Sequence, residues 1–327
     1  MNNAAHTSMS SNETSQPRVI NVLWSSRAFG GAEVYVETMR TIWGTETCAL
    51  QSLSAKERLK LAADIAFGSN IYIFHDLRAA FFGFLRPTRR NITVIHAPGK
   101  WLKLTQTITF LHAFLQKRVV MVADDIYPDP PTDHVVVLEN FSTAGIEAHD
   151  ASADAIYFGR MAHTKNVLDL AQFWHDHMKT GTLHMLGDGA LLAELRAKYE
   201  HEGSNIRFHG AVAHDRITEI ASECRFYTSF SGLEGLSFSL IEAMDGGLIP
   251  LVTDLPSQQF VKQIPGIPLV TVKGDYTRLA AEIEVINTLP PEDRAALRDT
   301  VRTTVRDRFR DRWMGFWDQT IREARKG

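Results

Sequence analysis

Two glutamates, Glu234 and Glu242, stand eight positions apart in the segment SGLEGLSFSLIEAMDGG. Glu234 lies in a glycine-rich turn, whereas Glu242 follows inside an apolar stretch of helical character. Because an unpaired buried charge is expensive, a carboxylate among apolar neighbours implies a polar partner. The alternative for Glu242 is a solvated helix position, for which its neighbours leave little polar face. Carboxylates placed in this way can accept hydrogen bonds from the hydroxyl groups of a ligand.

The helix that carries Glu242 is predicted to begin near Leu236, directly after Gly235. The first N–H groups of a helix have no partner within it and carry partial positive charge. The N–H groups of Leu236, Ser237 and Phe238 should therefore form a seat for an anion. Glu234 lies just outside this seat, where it would repel a phosphate but could accept hydrogen bonds from hydroxyls.

Two cations, Arg160 and Lys165, stand five residues apart in the loop YFGRMAHTKNV. A guanidinium binds phosphate as a fork and an ammonium binds it as a point charge, so this pair could clamp a diphosphate. Solvated surface charge is the alternative interpretation.

Glycines mark two further turns between a strand and a helix. Gly30 and Gly31 stand in SSRAFGGAE, and Gly187 and Asp188 stand in MLGDGALLAEL. Glycine lets a ligand approach backbone N–H groups at the positive end of a helix. An ordinary tight turn is the alternative at both places.

The elements that position these turns follow a simple pattern. From Val19 onward, short β-branched runs alternate with helical stretches, which is typical of a parallel sheet flanked by helices. The segment 139–154 lacks periodicity and is interpreted as an interdomain linker, after which a second alternating series begins. In open α/β sheets, ligands bind beyond the carboxyl ends of the strands, where these turns lie.

The length of 327 residues exceeds what one hydrophobic core usually supports, so we expect two α/β domains that face each other across a cleft. The expected divisions are a disordered leader over 1–17, an amino-terminal Rossmann-like domain over 18–146, a carboxyl-terminal Rossmann-like domain over 147–306, and a helix over 307–327 that returns to the first domain.

The composition excludes several classes of protein. An apolar fraction of 44% is ordinary for a globular protein, and a net charge of -3 argues against a nucleic-acid partner. The two cysteines, Cys48 and Cys224, have no metal-ligand spacing and fit a reducing cytosol. No apolar run approaches the length of a spanning helix, so we expect a cytoplasmic protein.

Taken together, the E-x7-E pattern in EGLSFSLIEAMDGGLIPLVT, FGR-x4-K, LGDG and the early GGAE resemble the family-4 retaining glycosyltransferases of GT-B fold. The likeness is good from about Ala155 to Asp254 and thinner before residue 140. It implies that a sugar, such as a hexose, moves from a nucleotide-sugar donor to a glycan or lipid-linked acceptor with retention of configuration. It also implies a role in bacterial polysaccharide or lipopolysaccharide biosynthesis.

The resemblance assigns roles to particular residues. Arg160 and Lys165 would hold the donor diphosphate, Glu234 would contact the donor sugar, and Glu242 would bind the ribose hydroxyls. His96, in TVIHAPGK, would face the transferred sugar near its reacting centre, although a packed or capping histidine is an equal alternative from the residues alone. The other implied donor-binding positions are Gly30, Gly31, Gly187, Asp188, Gly235, Leu236 and Ser237.

No cofactor and no metal are expected. No D-x-D motif stands in a convincing loop, and Arg160, Lys165 and the helix end at Leu236 could stabilise a leaving diphosphate by themselves. The amino-terminal half is shorter than the family usually shows, so the resemblance says least about the acceptor.

The stretch 78–118 holds eight cations interleaved with aromatic residues, and no acidic residue lies between Asp76 and Asp124. Cations beside exposed aromatics suit an anionic membrane surface, so we expect a peripheral protein at the inner face of the cytoplasmic membrane. A buried helix is the alternative for LRAAFFGFLR.

Two other functions remain open from the sequence. One is a nucleotide-sugar epimerase or phosphorylase of the same two-domain shape, and the other is a catalytically silent subunit that partners another transferase. Nucleic-acid binding ranks low because the cationic stretch lacks a recognition motif.

Overall fold

The structure is a computed structural model. It describes residues 17–24, 31–75, 77–86, 90–96, 118–122, 134–139, 145–232, 236–271 and 274–326, with the single residues 107, 111, 115, 141 and 234. The expected leader, apart from residue 17, therefore lies outside the described residues, as do Gly30, Gly235 and much of the stretch 78–118.

In the described residues of the amino-terminal half, six strands form one parallel sheet in the order β2-β1-β3-β4-β5-β6. The strands are β1 (Val19–Leu23), β2 (Glu46–Ala49), β3 (Ile71–His75), β4 (Asn91–Ile95), β5 (Arg118–Met121) and β6 (Val135–Val137). The helices are α1 (Gly31–Trp43), α2 (Ala55–Phe67) and α3 (Leu77–Ala80), and a 3₁₀ turn follows at Phe81–Leu85. Most of β1, β3 and β4 is buried, as a parallel sheet covered on both faces requires.

The carboxyl-terminal half contains a second parallel sheet, whose five strands in the described residues have the order β11-β10-β7-β8-β9. The strands are β7 (Ala155–Phe158), β8 (Leu183–Leu186), β9 (Ile206–Gly210), β10 (Phe226–Ser229) and β11 (Ile249–Val252). The helices around it are α4 (Val167–His177), α5 (Leu192–Tyr199), α6 (His214–Glu223), α7 (Phe238–Asp245) and α8 (Tyr276–Thr288). The expected pair of parallel α/β domains is thus confirmed.

Two long helices end the described chain. They are α9 (Pro291–Val305) and α10 (Asp311–Lys326), joined by a π-helical turn at Arg306–Arg310. Helix α10 packs against the first domain: Trp317 Nε1 donates to the Tyr35 hydroxyl at 2.7 Å, and Arg118 Nη1 donates to Thr320 Oγ1 at 2.7 Å. One hydrophobic cluster consequently includes residues of both sheets and of α10.

An arginine ladder on α9 and on the first residue of the π-helical turn holds the carboxyl end of α7. Arg298 Nε donates to the Gly247 carbonyl at 3.1 Å, and Arg302 Nη2 donates to the Gly246 carbonyl at 3.2 Å. Arg306 Nε donates to a carboxylate oxygen of Asp245 at 2.8 Å. Because the three arginines are four residues apart, they share one face of the helical segment. Cations at a helix carboxyl end also stabilise its dipole.

A second charge cluster fixes the start of the carboxyl-terminal domain. Asp150, with φ 58°, accepts hydrogen bonds from Arg225 Nε at 2.6 Å and from Arg294 Nε at 2.8 Å. Burial opposes ionisation of Asp150, but the hydrogen bonds from Arg294 and Arg225 outweigh it and hold the pKa of this carboxyl below its ordinary value.

We expect Asp150→Asn to lower the free energy of unfolding by about 3 kcal/mol, because two largely buried guanidinium groups lose their counter-charge. Asparagine tolerates positive φ, so this change isolates the charge from the backbone. Denaturant unfolding measures the loss, with the exposed Asp299→Asn as the control. Since the pKa of folded Asp150 is depressed, its contribution is present above the pKa of the unfolded chain and disappears as the pH falls through the folded value. An equal loss in both variants would contradict this role.

Candidate active site

The second sheet brings two loops together at one point of its carboxyl edge. Strand order reverses at β7, whose neighbours are β8 on one side and β10 on the other. The loop after β7 carries Arg160 and Lys165, and the loop after β10 carries Glu234. Because β7 and β10 are parallel neighbours, both loops leave the same edge, which is where α/β sheets bind ligands.

Hydrogen bonds tie these two loops to each other. The Gly232 N–H donates to the Thr164 carbonyl at 3.1 Å. Asn166 Nδ2 donates to the Phe230 carbonyl at 3.0 Å, and Asn166 itself has φ 45°, a value that asparagine accepts more readily than most residues. These hydrogen bonds therefore fix the position of the two loops relative to each other.

The structure joins two residues that the sequence analysis treated separately. Lys165 Nζ forms an ion pair with Glu234 Oε1, and Ser231 Oγ donates to the same oxygen at 3.0 Å. Ser257 Oγ donates to the backbone carbonyl of Glu234 at 2.8 Å. Both members of the ion pair are mostly buried, so the contact is well shielded from solvent.

Arg160 has a different environment from Lys165. Its side chain is exposed, and it pairs with no acidic group within the described part of the chain. Its backbone is held, since the Tyr157 hydroxyl donates to the Arg160 carbonyl at 2.8 Å. The backbone of Arg160 is thus fixed, and its guanidinium group is accessible to an anionic ligand.

Gly187 and Gly189 support the loop that carries Arg160. They have φ 128° and 153°, and a Cβ atom at either would overlap a carbonyl oxygen, that of Gly159 or that of Met161. The Met161 N–H donates to the Asp188 carbonyl at 2.9 Å across this contact. The carboxylate of Asp188 is exposed and accepts from the Gly189 N–H at 2.7 Å.

Helix α7 begins at Phe238, two residues later than the position predicted near Leu236. The reason is Ser237, an extended residue whose hydroxyl accepts the Leu240 N–H at 3.4 Å and so acts as the N-cap. The N–H groups at the open end of the helix are therefore those of Phe238 and Ser239, and the expected seat of Leu236, Ser237 and Phe238 is corrected accordingly.

Hydroxyl groups beneath this helix end hold the cap in place. Ser237 Oγ and Ser239 Oγ are 2.9 Å apart, and the Tyr227 hydroxyl lies 2.9 Å from Ser239 Oγ. Burial raises the pKa of Tyr227 to about 12, so this phenol stays protonated at neutral pH. The sequence analysis named Ser237 but missed Ser239 and Tyr227, because a serine inside a helix and a tyrosine inside a strand have no distinctive spacing.

Glu242 is buried, with 7% of its surface exposed. The solvated helix position considered from the sequence is therefore wrong. Its neighbours from Leu240 to Met244 are buried as well, so α7 is enclosed on most of its circumference.

His96 lies in the other domain, one residue beyond β4 at the carboxyl edge of the first sheet. Its Nε2 atom is 2.9 Å from Nδ1 of His75, the last residue of β3. Within the described residues, no hydrogen bond joins His96 to Arg160, Lys165 or Glu234. Burial lowers the pKa of His96 to about 4, so the imidazole is neutral at pH 7.

Among the residues that the structure describes, no three His, Cys, Asp or Glu side chains are grouped so that they could hold a metal ion. Of the predicted glycines, Gly31 is the first residue of α1. Gly30 and Gly235 lie outside the described residues.

We expect Gly187→Ala to displace the loop that carries Arg160, because the new Cβ would overlap the Gly159 carbonyl oxygen. The measurement is amide hydrogen exchange at Met161, whose protection should fall sharply together with the melting temperature. Gly203→Ala is the matched control: Gly203 has φ 81° but no atom within 4 Å of an added Cβ. It should show only the backbone strain of about 1–2 kcal/mol. Unchanged Met161 protection in Gly187→Ala would contradict the supporting role.

A part of the chain that includes these loops matches a known family of proteins. Residues 152–287 match the family described as Glycosyl transferases group 1. No curated protein sequence matches the chain.

Several solved structures share the fold. The HepE protein of Anabaena in complex with UDP superposes with a TM-score of 0.66 at 14% identity, over 89% of this chain and 95% of that one. The lipopolysaccharide outer core galactosyltransferase WaaB gives 0.59 at 13% identity, over 94% of this chain and 99% of that one. TarM gives 0.58 at 15% identity, over 77% of this chain and 54% of its own length, so the match spans about half of TarM. A mutant of TarM from S. aureus gives a TM-score of 0.57 at 16% identity, over 76% of this chain and 55% of that one. The chain thus has the GT-B fold, and residues 152–287 match the model of the group 1 glycosyltransferases.

Proposed function

We propose that this chain is a glycosyltransferase that moves a sugar from a nucleotide-sugar donor to a hydroxyl of a glycan or lipid-linked acceptor. The observation that carries the proposal is the ion pair of Lys165 with Glu234 at the point where strand order reverses. Arg160 lies on the same loop as Lys165, and the amino end of α7 follows Glu234 by four residues. This point lies in the domain that matches the glycosyltransferase family.

The donor diphosphate would lie between the two cations and the helix end. An ammonium has three N–H donors, so Lys165 can keep its bond to Glu234 and still donate to a phosphate oxygen. Arg160 adds a planar fork from the exposed side of the loop. The N–H groups of Phe238 and Ser239 add a helix dipole that favours negative charge.

The two glutamates would bind hydroxyl groups rather than phosphate. Within the described residues, only Oε1 of Glu234 has a hydrogen-bond partner, so Oε2 can accept from a hydroxyl of the donor sugar. Glu242 lies one helical step, i+4, beyond Phe238 and so lies on the side of the first turn of α7. From there it would accept hydrogen bonds from the ribose hydroxyls.

We further propose that transfer retains the anomeric configuration and needs no metal. Arg160, Lys165 and the amino end of α7 would stabilise the charge that develops on the leaving diphosphate. The acceptor would attack on the face that the diphosphate leaves, and a phosphate oxygen would take the proton of the acceptor hydroxyl. This chemistry requires no separate general base.

The comparisons support a nucleotide-sugar donor and a bacterial glycan as the setting. HepE was solved with UDP and with UDP-glucose, and WaaB is a lipopolysaccharide galactosyltransferase. We accordingly propose polysaccharide or lipopolysaccharide biosynthesis as the pathway. The paired cations favour transfer over a silent subunit, for which no diphosphate site would be needed.

We expect Lys165→Ala to lower the transfer rate by about 10² to 10³, because it removes one charge-stabilising donor. The nucleotide of the donor is first identified from the rise in melting temperature with UDP, GDP or ADP. A ligand at 100 times its Kd adds about 2.7 kcal/mol to the free energy of unfolding. Product formation is then followed in EDTA throughout. Lys179→Ala, an exposed lysine of the same domain, should leave the rate unchanged.

A folded Lys165→Ala protein that transfers sugar at the normal rate would contradict the assignment of the diphosphate site. Conversion of the donor alone into an epimeric nucleotide sugar would indicate the epimerase instead. Loss of transfer in EDTA that Mg²⁺ or Mn²⁺ restores would contradict metal independence.

The second proposed partner is an anionic membrane surface at the first domain. Helix α2 exposes Lys56, Leu59, Lys60 and Phe67, which stand at positions i, i+3, i+4 and i+11 and so share one face, and Phe67 is 88% exposed. No helix within the described residues is long and apolar enough to cross a bilayer.

The neighbouring 3₁₀ turn extends this face. It packs against α2 and exposes Phe81 at 53% and Leu85 at 49%. Phe82 and Phe84 pack instead against the core of the first domain, so the aromatics of this segment divide between core and surface. We call Lys56, Leu59, Lys60, Phe67, Phe81 and Leu85 together the basic-apolar face. Exposed apolar groups beside lysines suit a surface of anionic lipid.

We expect the double variant Phe67→Ser and Phe81→Ser to weaken binding to vesicles that contain an anionic lipid, because the buried apolar area falls while the cations remain. Sedimentation with vesicles at low and high salt is the measurement, since each cation near the surface contributes about 1 kcal/mol and is screened by salt. Val285→Ser, which changes a 61% exposed valine of the other domain, is the control. Equal sedimentation of all three proteins would reject the basic-apolar face as the contact.

A further inference from the structure

Three polar side chains form a hydrogen-bonded chain at the switch point of the first sheet. Asn21 lies in β1, His75 ends β3 and His96 follows β4, and β1 and β3 are the neighbours at which strand order reverses. His75 Nε2 is 2.9 Å from Asn21 Oδ1, and His75 Nδ1 is 2.9 Å from His96 Nε2. Asn21 and His75 are buried. We call these three residues the histidine relay.

The orientation of the Asn21 amide is set by its other contacts. Asn21 Nδ2 lies 3.4 Å from the Glu46 carbonyl and 2.7 Å from Thr45 Oγ1. A backbone carbonyl can only accept, so the NH₂ group must face Glu46. The Asn21 oxygen therefore faces His75 and can only accept a hydrogen bond from it.

This orientation determines the proton positions along the relay. His75 must carry its proton on Nε2 in order to donate to Asn21 Oδ1. As a neutral imidazole it then has a lone pair on Nδ1, which accepts from His96 Nε2–H. Neutral His96 is left with an unprotonated Nδ1 atom.

The surroundings keep both imidazoles neutral. Burial lowers the pKa of His75 and of His96, and the proximity of His96 lowers that of His75 further. Tyr35 packs edge-on against both rings, with centroid distances of 5.6 Å to His75 and 5.2 Å to His96. Trp317 of α10 holds the Tyr35 hydroxyl, so the helix that follows the second domain packs behind the relay.

The open end of the relay is Nδ1 of His96. This atom is buried, and no hydrogen-bond partner for it lies among the residues that the structure describes. Buried polar atoms in folded proteins nearly always have a partner, so an unpaired one calls for a ligand or an equivalent donor. A lone pair can accept a hydrogen bond from a hydroxyl but repels a phosphate or carboxylate oxygen.

We propose that Asn21 and His75 are positioning residues that hold His96 in its Nε2–H tautomer, so that Nδ1 accepts a hydrogen bond from a hydroxyl of the carbohydrate ligand. The ligand part of this inference rests on the proposed function, whereas the tautomer does not. The relay excludes a role for His96 as a donor to the diphosphate.

The tautomer is measured on the unliganded protein by two-bond ¹⁵N–¹H correlation of its histidine rings, with the His96 signals assigned by their loss in His96→Gln. We expect a protonated Nε2 and an unprotonated Nδ1 at pH 7. A protonated Nδ1 in the wild-type protein would overturn the proposal without recourse to any other variant.

Two substitutions at His75 separate positioning from packing. His75→Phe removes the acceptor for His96 and should give mixed tautomers with kcat/KM lowered about 10-fold, the equivalent of one hydrogen bond. His75→Asn places an oxygen near the former Nδ1 and should restore both the single tautomer and most of the activity. His184→Phe is the control, because it breaks a similar contact to His209 of 3.0 Å in the second sheet.

The source of the hydroxyl is resolved by two assays. The probe is UDP-glucose, and the rate of the His75→Phe protein is compared with that of the wild type. A lower rate of hydrolysis of the donor alone assigns the hydroxyl to the donor sugar. A rate that is lower only when an acceptor is present assigns the hydroxyl to the acceptor. Equal activity of His75→Phe and His75→Asn would overturn the positioning role. If the chain acts on no nucleotide sugar, the proposed function fails while the tautomer result stands.

Discussion

The reversal of strand order at β7 is the constraint on which the candidate site depends. Parallel strands end at one edge of a sheet, and the reversal leaves a crevice there because the flanking helices diverge to opposite faces. Lys165 after β7 and Glu234 after β10 are 69 residues apart in the chain, yet they form an ion pair. Without this adjacency, neither loop contains a complete site.

The candidate site also depends on the anchoring of α7, whose two ends are held by different hydrogen bonds. Ser237 caps its amino end, and the arginine ladder of α9 binds the carbonyls beyond its carboxyl end. A short helix of eight residues would be marginal alone, so these anchors decide where its first N–H groups lie. A fixed dipole needs no reorganisation when charge develops on a ligand, which is what electrostatic catalysis requires.

Helix α10 connects the two domains through packing rather than through the site itself. It leaves the second domain after the π-helical turn, and Trp317 then contacts Tyr35 beside the histidine relay. The tryptophans Trp313 and Trp317 are fully buried in a cluster that includes both sheets. Any rotation of one domain against the other must therefore preserve this contact or repack the aromatic rings around the relay.

By itself the sequence determined the α/β class and the two-sheet organisation, because both follow from local periodicity. It also determined the group of motifs between Arg160 and Glu242, because these depend on short spacings between residues. It misplaced the start of α7 by two residues, since a serine that caps a helix looks like any serine of a loop. Only the tertiary structure decided that Lys165 pairs with Glu234, that glycines of the LGDG turn support the Arg160 loop, and that His96 is one end of a relay with Asn21 and His75. The physical reason is that each of these contacts joins residues distant in the chain, and hydrogen-bond geometry exists only once the sheets have brought them together.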